Sequence, residues 1–143
     1  MTKNIVIKPE ITRKYQEFLR SQRILFFCAP CGFGKTCVAE TLLAGEKLLR
    51  QEGRTLDVLA LTGSEDWNFL LVEDFQQIQE EEMQALCDVI RRRPEKRFVL
   101  LSRGAPPGSM MAFQYAGIMT VITTEELLFG REEIQELARM QGV

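Results

Sequence analysis

The sequence predicts a three-layer α/β domain in which a five-stranded, mostly parallel sheet is flanked by helices. Three observations carry this expectation. Short apolar runs over 23–28, 69–73, 97–102 and 119–123 each end in polar or small residues. Runs of that length and continuity suit parallel strands buried on both faces. Between them, apolar residues recur at helical spacing, as with Ile78, Met83, Leu86, Cys87 and Ile90. The first run passes through a glycine-containing turn into a helical pattern, the order strand, glycine loop, helix.

That turn reads Ala29-Pro30-Cys31-Gly32-Phe33-Gly34-Lys35-Thr36, followed by Cys37. A Walker A phosphate loop asks for Gly, four free positions, then Gly-Lys-Ser/Thr. Only the first position departs, with Ala29 in place of Gly. Gly32 and Gly34 let the backbone turn tightly and present its N–H groups to phosphate oxygens. Lys35 supplies a mobile cation beside the β- and γ-phosphates, and the Thr36 hydroxyl is a ligand for Mg²⁺. The helix beginning here turns its positive dipole end toward the anion. Residues 29–37 are therefore the expected nucleotide site, and the fold expected is the P-loop NTPase one.

At 143 residues the chain is long enough for one domain with a real core. Its 45% hydrophobic and 27% charged residues place it among globular rather than disordered chains. A net charge of -2 argues against a dedicated nucleic-acid module, so no direct DNA contact is expected. Lys3 and Lys8 flank only Ile5-Val6-Ile7, too short for a secretory leader, and no apolar run spans a membrane. The expected compartment is the cytoplasm.

The chain has four cysteines and no histidine. Cys28 and Cys31 have C-x-x-C spacing, but Cys28 ends the first strand and Cys31 is a free loop position. Cys37 and Cys87 supply no partnering C-x-x-C for a zinc site. Small side chains around a loop, plus a buried Cys87, are the reading adopted; the alternative is a regulatory Cys28–Cys31 disulfide, which would distort the loop.

In chain order, residues 5–7 suggest a short edge strand closed by Pro9. Residues 11–21 read as a helix with Tyr15, Phe18 and Leu19 on one face. Val38, Leu42 and Leu49 carry the phosphate-loop helix to about Gln51, with Gly53 as its cap. A second strand is expected over 55–61 (T-L-D-V-L-A-L). Only residues 62–68 then separate it from the third, too few for a parallel crossover. Either the two strands are not parallel neighbours, or residues are missing near Gly63-Ser64. A helix is expected over 75–93, stopped by Pro94, then a strand over 97–102. A short helix over 109–115, a fifth strand over 119–123 and a last helix over about 131–140 complete the chain.

Glu73-Asp74 closes the apolar run Phe69-Leu70-Leu71-Val72. Acids at that place, after a phosphate loop, form a Walker B pair: one carboxylate holds Mg²⁺, the other orients the attacking water. Arg103 follows the fourth strand on the same edge, where ligands of open α/β sheets sit, and is placed to reach a γ-phosphate. The basic run from Arg91 to Arg97 lacks interleaved aromatic residues and reads as a solvated helix end.

The A-P-C-G-F-G-K-T loop, the strand L-L-V-E-D-F-Q-Q-I, the strand end L-L-S-R and the final E-L-L-F-G-R-E-E-I-Q-E-L occur in the order of one family. Together they resemble the nucleotide-binding domain of MalT-like, large LuxR-type transcriptional regulators, signal-transduction ATPases of the STAND class. The resemblance implies that Gly32, Gly34, Lys35 and Thr36 carry the phosphates and Mg²⁺, and that Arg103 senses the terminal phosphate. It places Glu73 at the first acid of the family's D-D pair, one methylene longer, and Asp74 at the second. It implies an ATP/ADP switch with slow hydrolysis, ATP-dependent self-association, and partners in the remaining domains of a longer regulator. Residues 1–143 would be its nucleotide-binding domain, with 131–143 opening the next helical subdomain. The alternatives are a stand-alone small P-loop ATPase or kinase, or an interaction fragment with a vestigial loop.

Overall fold

The computed structural model describes residues 9–30, 35–63 and 66–123. The predicted strand over 5–7, the loop residues Cys31, Gly32, Phe33 and Gly34, the side chain of Cys37, Ser64 and the last helix over 131–140 lie outside the described residues.

Ile24-Leu25-Phe26-Phe27 is buried along its whole length, and β-branched and aromatic side chains of this kind favour an extended, fully covered strand. It forms β1 (Ile24–Cys28). The same reasoning holds for β3 (Phe69–Glu73), β4 (Arg97–Ser102) and β5 (Met119–Thr123). With β2 (Leu48–Glu52) these strands form one sheet in the order β2-β3-β4-β1-β5. Every pairing is parallel.

Each face of the sheet buries its own apolar cluster. Helices α1 (Pro9–Ser21) and α2 (Lys35–Leu42) cover one face. There Ile11, Tyr15, Phe18, Val38, Ala39 and Leu43 meet Leu25, Phe27, Leu71, Val99 and Leu101. Helices α3 (Val58–Thr62), α4 (Glu80–Arg92) and α5 (Met111–Tyr115) cover the other. There Val58, Leu61, Leu86, Ile90 and Phe113 meet Phe26, Leu70, Val72, Phe98 and Leu100. The three-layer expectation therefore holds, with a sheet that is parallel throughout.

The second strand is displaced from its predicted place. α2 ends at Leu42, and Gly45 takes a left-handed φ of 87° just beyond, a conformation that closes helices and that glycine adopts without steric cost. Leu49 therefore belongs to β2, not to a helix running to Gln51. Leu48 packs on the α2 cluster and Leu49 on the α4 cluster, the alternation of a strand. The polar Arg50-Gln51-Glu52 suits an edge strand. Residues 55–61, predicted as strand, form a turn and then α3. Asp57 caps α3, its carboxylate accepting from the Ala60 N–H at 3.3 Å.

This correction removes the short junction. β2 and β3 are parallel neighbours, and residues 53–68 with α3 supply the crossover. The helix predicted from Phe75 begins instead at Glu80, after a 3₁₀ turn over Phe75–Gln77. The Phe75 ring turns inward and meets Phe26 edge-on at 5.8 Å.

The basic run is not wholly a solvated end. Arg91 and Arg92 are exposed, but Lys96 is buried, donates to the Trp67 carbonyl and stands 4.6 Å from the Trp67 ring. Arg97 donates to the Leu19 carbonyl at the end of α1. These cations satisfy carbonyls at the end of the sheet away from Cys28 and Ser102, where β1 and β4 finish.

Candidate functional site

The strand order assembles the site. β4 lies between β1 and β3 although it follows both in sequence. The loop after β1, the Arg103 turn after β4 and the Glu73-Asp74 end of β3 therefore stand side by side on one edge. Neighbouring strands are about 4.8 Å apart, so the ends of β1 and β3 are separated by about 10 Å. This edge carries the carboxyl ends of the strands, where α/β sheets bind ligands.

Ala29 continues β1 by one residue, its N–H donating to the Ser102 carbonyl at 3.0 Å. Its methyl group is buried in the α2 cluster, which gives a packing reason for alanine at the motif's first position. Lys35 opens α2 and turns back toward the end of β1. Its Nζ donates to the Ala29 carbonyl at 2.5 Å and the Pro30 carbonyl at 3.1 Å. Thr36 follows in the first turn, half-buried. Cys37 is also in that turn.

Glu73 and Asp74 divide between two arginines. Asp74 adopts a left-handed backbone (φ 51°, ψ 48°) that ends β3 and turns its carboxylate toward β4. Asp74 Oδ1 lies 3.7 Å from Arg103 Nε. Glu73 accepts two hydrogen bonds from Arg50 of β2, from Nη2 at 2.8 Å and Nε at 3.3 Å. The same Nη2 donates to Glu40 Oε1 of α2 at 2.8 Å. Bonds to Glu73 first and Glu40 second push the guanidinium pKa further up.

Arg50 and Gln76 were not among the residues expected here. Gln76 bridges the two strand ends: its Nε2 donates to Asp74 Oδ1 at 3.4 Å and its Oε1 accepts from the Arg103 N–H at 3.0 Å. Gln76 had a faint sequence signal, a polar residue two positions after the acid. Arg50 has none, because the helical spacing of Val38, Leu42 and Leu49 masks the strand that carries it. A cleft of about 340 Å³ opens beside this bridge, lined among the described residues by Phe75, Gln76, Ile78, Met83, Ser102 and Pro107 among others.

A hydroxyl and two carboxylates are hard oxygen donors of the kind Mg²⁺ takes. Mg²⁺ characteristically uses one or two carboxylates together with water and phosphates rather than an all-protein cage. Thr36, Glu73 and Asp74 thus fit an Mg²⁺·nucleotide.

The parallel sheet, its helical layers and this edge define a three-layer α/β domain of the P-loop NTPase fold. Among solved structures it is similar to a Signal Transduction ATPase with Numerous Domains (STAND) protein with a tetratricopeptide repeat sensor from Pyrococcus horikoshii. The TM-score is 0.62 at 13% identity, over 98% of this chain and 26% of that one. It also matches the P-loop NTPase domain of a sigma-54 transport activator from E. coli, with a TM-score of 0.43 at 12% identity over 79% of this chain and 88% of that one. The chain spans about a quarter of the length of the STAND protein. No protein-family model and no curated protein matches the sequence. Among the described residues, no helix is long and apolar enough to cross a membrane.

Proposed function

We propose that this domain binds ATP and ADP with Mg²⁺ and acts as a slowly hydrolysing switch in a signal-responsive transcriptional regulator of the MalT-like, large LuxR-type group. The observation that carries the reading is the strand order, which sets the Lys35-Thr36 helix start, Arg103 and Asp74 after three adjacent strands, β1, β4 and β3. Likeness of fold to a signal-transduction ATPase supports it, as do the four motifs in family order. In this reading residues 1–143 form the nucleotide-binding domain, and 131–143 begin the next helical subdomain. The other domains of the regulator are its partners, ATP-dependent self-association is its output, and it works in the cytoplasm.

Each residue has a role in that site. Gly32 and Gly34 bring backbone N–H groups of residues 29–37 to the phosphates. Lys35 exchanges its two carbonyl partners for phosphate oxygens. Thr36 and Glu73 hold the metal's coordination sphere, and Asp74 orients water. Arg103, already turned toward Asp74, reaches the terminal phosphate and distinguishes ATP from ADP. Bound Mg²⁺ supplies neutralisation of phosphate charge.

Calorimetric titration with ATP and ADP, with and without Mg²⁺, tests the reading. Wild type should bind both and Lys35→Ala neither. Absence of binding by wild type would overturn it in favour of a vestigial loop. The cleft beside Gln76 favours a second reading, a small P-loop kinase whose acceptor lies beyond the β3 and β4 ends; turnover separates the two.

A further inference from the structure

Arg50 lies on the edge strand, opposite Leu71 in the β2–β3 register. Side chains of a strand alternate between faces, so Arg50 shares with Leu71 and Glu73 the face that packs on α2. Arg50 grips Glu73 through both carboxylate oxygens and Glu40 through one. The three side chains differ in exposure: 45% for Arg50, 48% for Glu40 and 25% for Glu73. The least exposed carboxylate therefore has both oxygens engaged by a guanidinium, at the place where the proposed site needs it for metal.

We propose that Arg50 is an internal counter-cation for Glu73 that competes with Mg²⁺, so that the metal site forms only as Arg50 releases this carboxylate. The inference rests on the nucleotide-binding reading above. A cation and a guanidinium cannot both command the same two oxygens at full strength, because each bond draws on the same negative charge. Glu40 makes the exchange inexpensive. When Glu73 turns to metal, Arg50 keeps a carboxylate partner on α2 and no charge is stranded. Arg50 is thus a positioning residue linking the phosphate-loop helix, the acidic strand end and the edge strand. The competing account makes the triad only a strut that pins β2 to the sheet.

The test is ATP affinity measured calorimetrically across a Mg²⁺ series for wild type, Arg50→Ala and Arg50→Lys, each checked by thermal melting. Arg50→Ala should lower the Mg²⁺ concentration for half-maximal tightening by about threefold to fivefold, the strength of an exposed ion pair. Its ATP affinity without Mg²⁺ should equal that of wild type. Arg50→Lys, a point charge without the two-pronged grip, should fall between. In a Glu73→Gln background, Arg50→Ala should leave the Mg²⁺ dependence unchanged. An unchanged or raised Mg²⁺ requirement in folded Arg50→Ala overturns the exchange and leaves the strut. Failure of wild type to bind nucleotide even without Mg²⁺ overturns the site reading and this inference with it.

Discussion

Gly53 packs against the backbone of Asp74. A Cβ added at residue 53 would stand 3.0 Å from the Asp74 carbonyl carbon, 3.1 Å from the Phe75 α-carbon, and closer still to the Asp74 carbonyl oxygen. Glycine is required here for close approach rather than for an unusual φ. The contact seats the left-handed turn that aims Asp74 toward Arg103. Gly53→Ala should therefore cost about 1–3 kcal/mol, as overpacking does, measured by urea denaturation. It should also weaken Mg²⁺-dependent nucleotide affinity more than Mg²⁺-free affinity. Unaltered stability would mean that the turn does not depend on this contact.

Phe75 anchors the same turn from inside. Its ring is fully buried against Phe26. Phe75→Ala should destabilise the domain by about 3–5 kcal/mol, seen as a lower denaturation midpoint with little change in slope. A loss below 1 kcal/mol would show that the site turn folds independently of the core.

Stability should fall on the alkaline side. Burial pushes the Cys87 thiol up, and burial followed by Glu46 pushes the Tyr15 phenol up. Both are acids kept neutral by the fold. The unfolded chain releases these protons first, so stability falls as pH rises through the unfolded values, about 8.5 for a thiol and about 10 for a phenol. Cys87→Ala should flatten the thiol part of a stability profile between pH 8 and 10. Cys87 should also resist alkylation until the chain unfolds; reaction with native protein at pH 8 would contradict its burial.

Turnover should be slow. If the domain is a switch whose metal site forms only in competition with Arg50, it should hydrolyse ATP well below the range of about 1–100 s⁻¹ found for kinases. In the proposed role, Arg103→Ala should lower affinity for ATP more than for ADP, because only ATP has a terminal phosphate for this arginine to sense. Equal losses for the two nucleotides would remove Arg103 from the sensing role.

Much of the fold was legible because its strands are continuous apolar runs. Burial on both faces leaves no polar interruption, so 23–28, 69–73, 97–102 and 119–123 stand out without knowledge of their neighbours. β2 did not stand out. An edge strand has a paired neighbour on one side only, and Leu48-Leu49-Arg50-Gln51-Glu52 has too few apolar residues to declare itself. Its Leu49 also falls in helical phase with Val38 and Leu42. Gly45 is the available signal, a glycine placed to close the helix, but Gly53 stands where a helix continued to Gln51 would also close. The actual role of Gly53 is a contact with residue 74, and no local pattern encodes a contact that distant.

The sequence by itself determined the chemistry available to this protein. A Gly-Lys-Thr loop after a buried strand, an acidic pair closing another, and an arginine closing a third are local facts, written in adjacent residues and set by strand-end geometry. Which of these side chains meet was decided only by the tertiary structure. Placing β4 between β1 and β3 sets Arg103 against Asp74, and placing β2 outside β3 sets Arg50 against Glu73. The reason is physical: strand order comes from how two helical layers cover a twisted parallel sheet, a property of the whole core. Ion pairs between residues 23 and 29 positions apart are consequences of that packing and have no trace in either residue's neighbours.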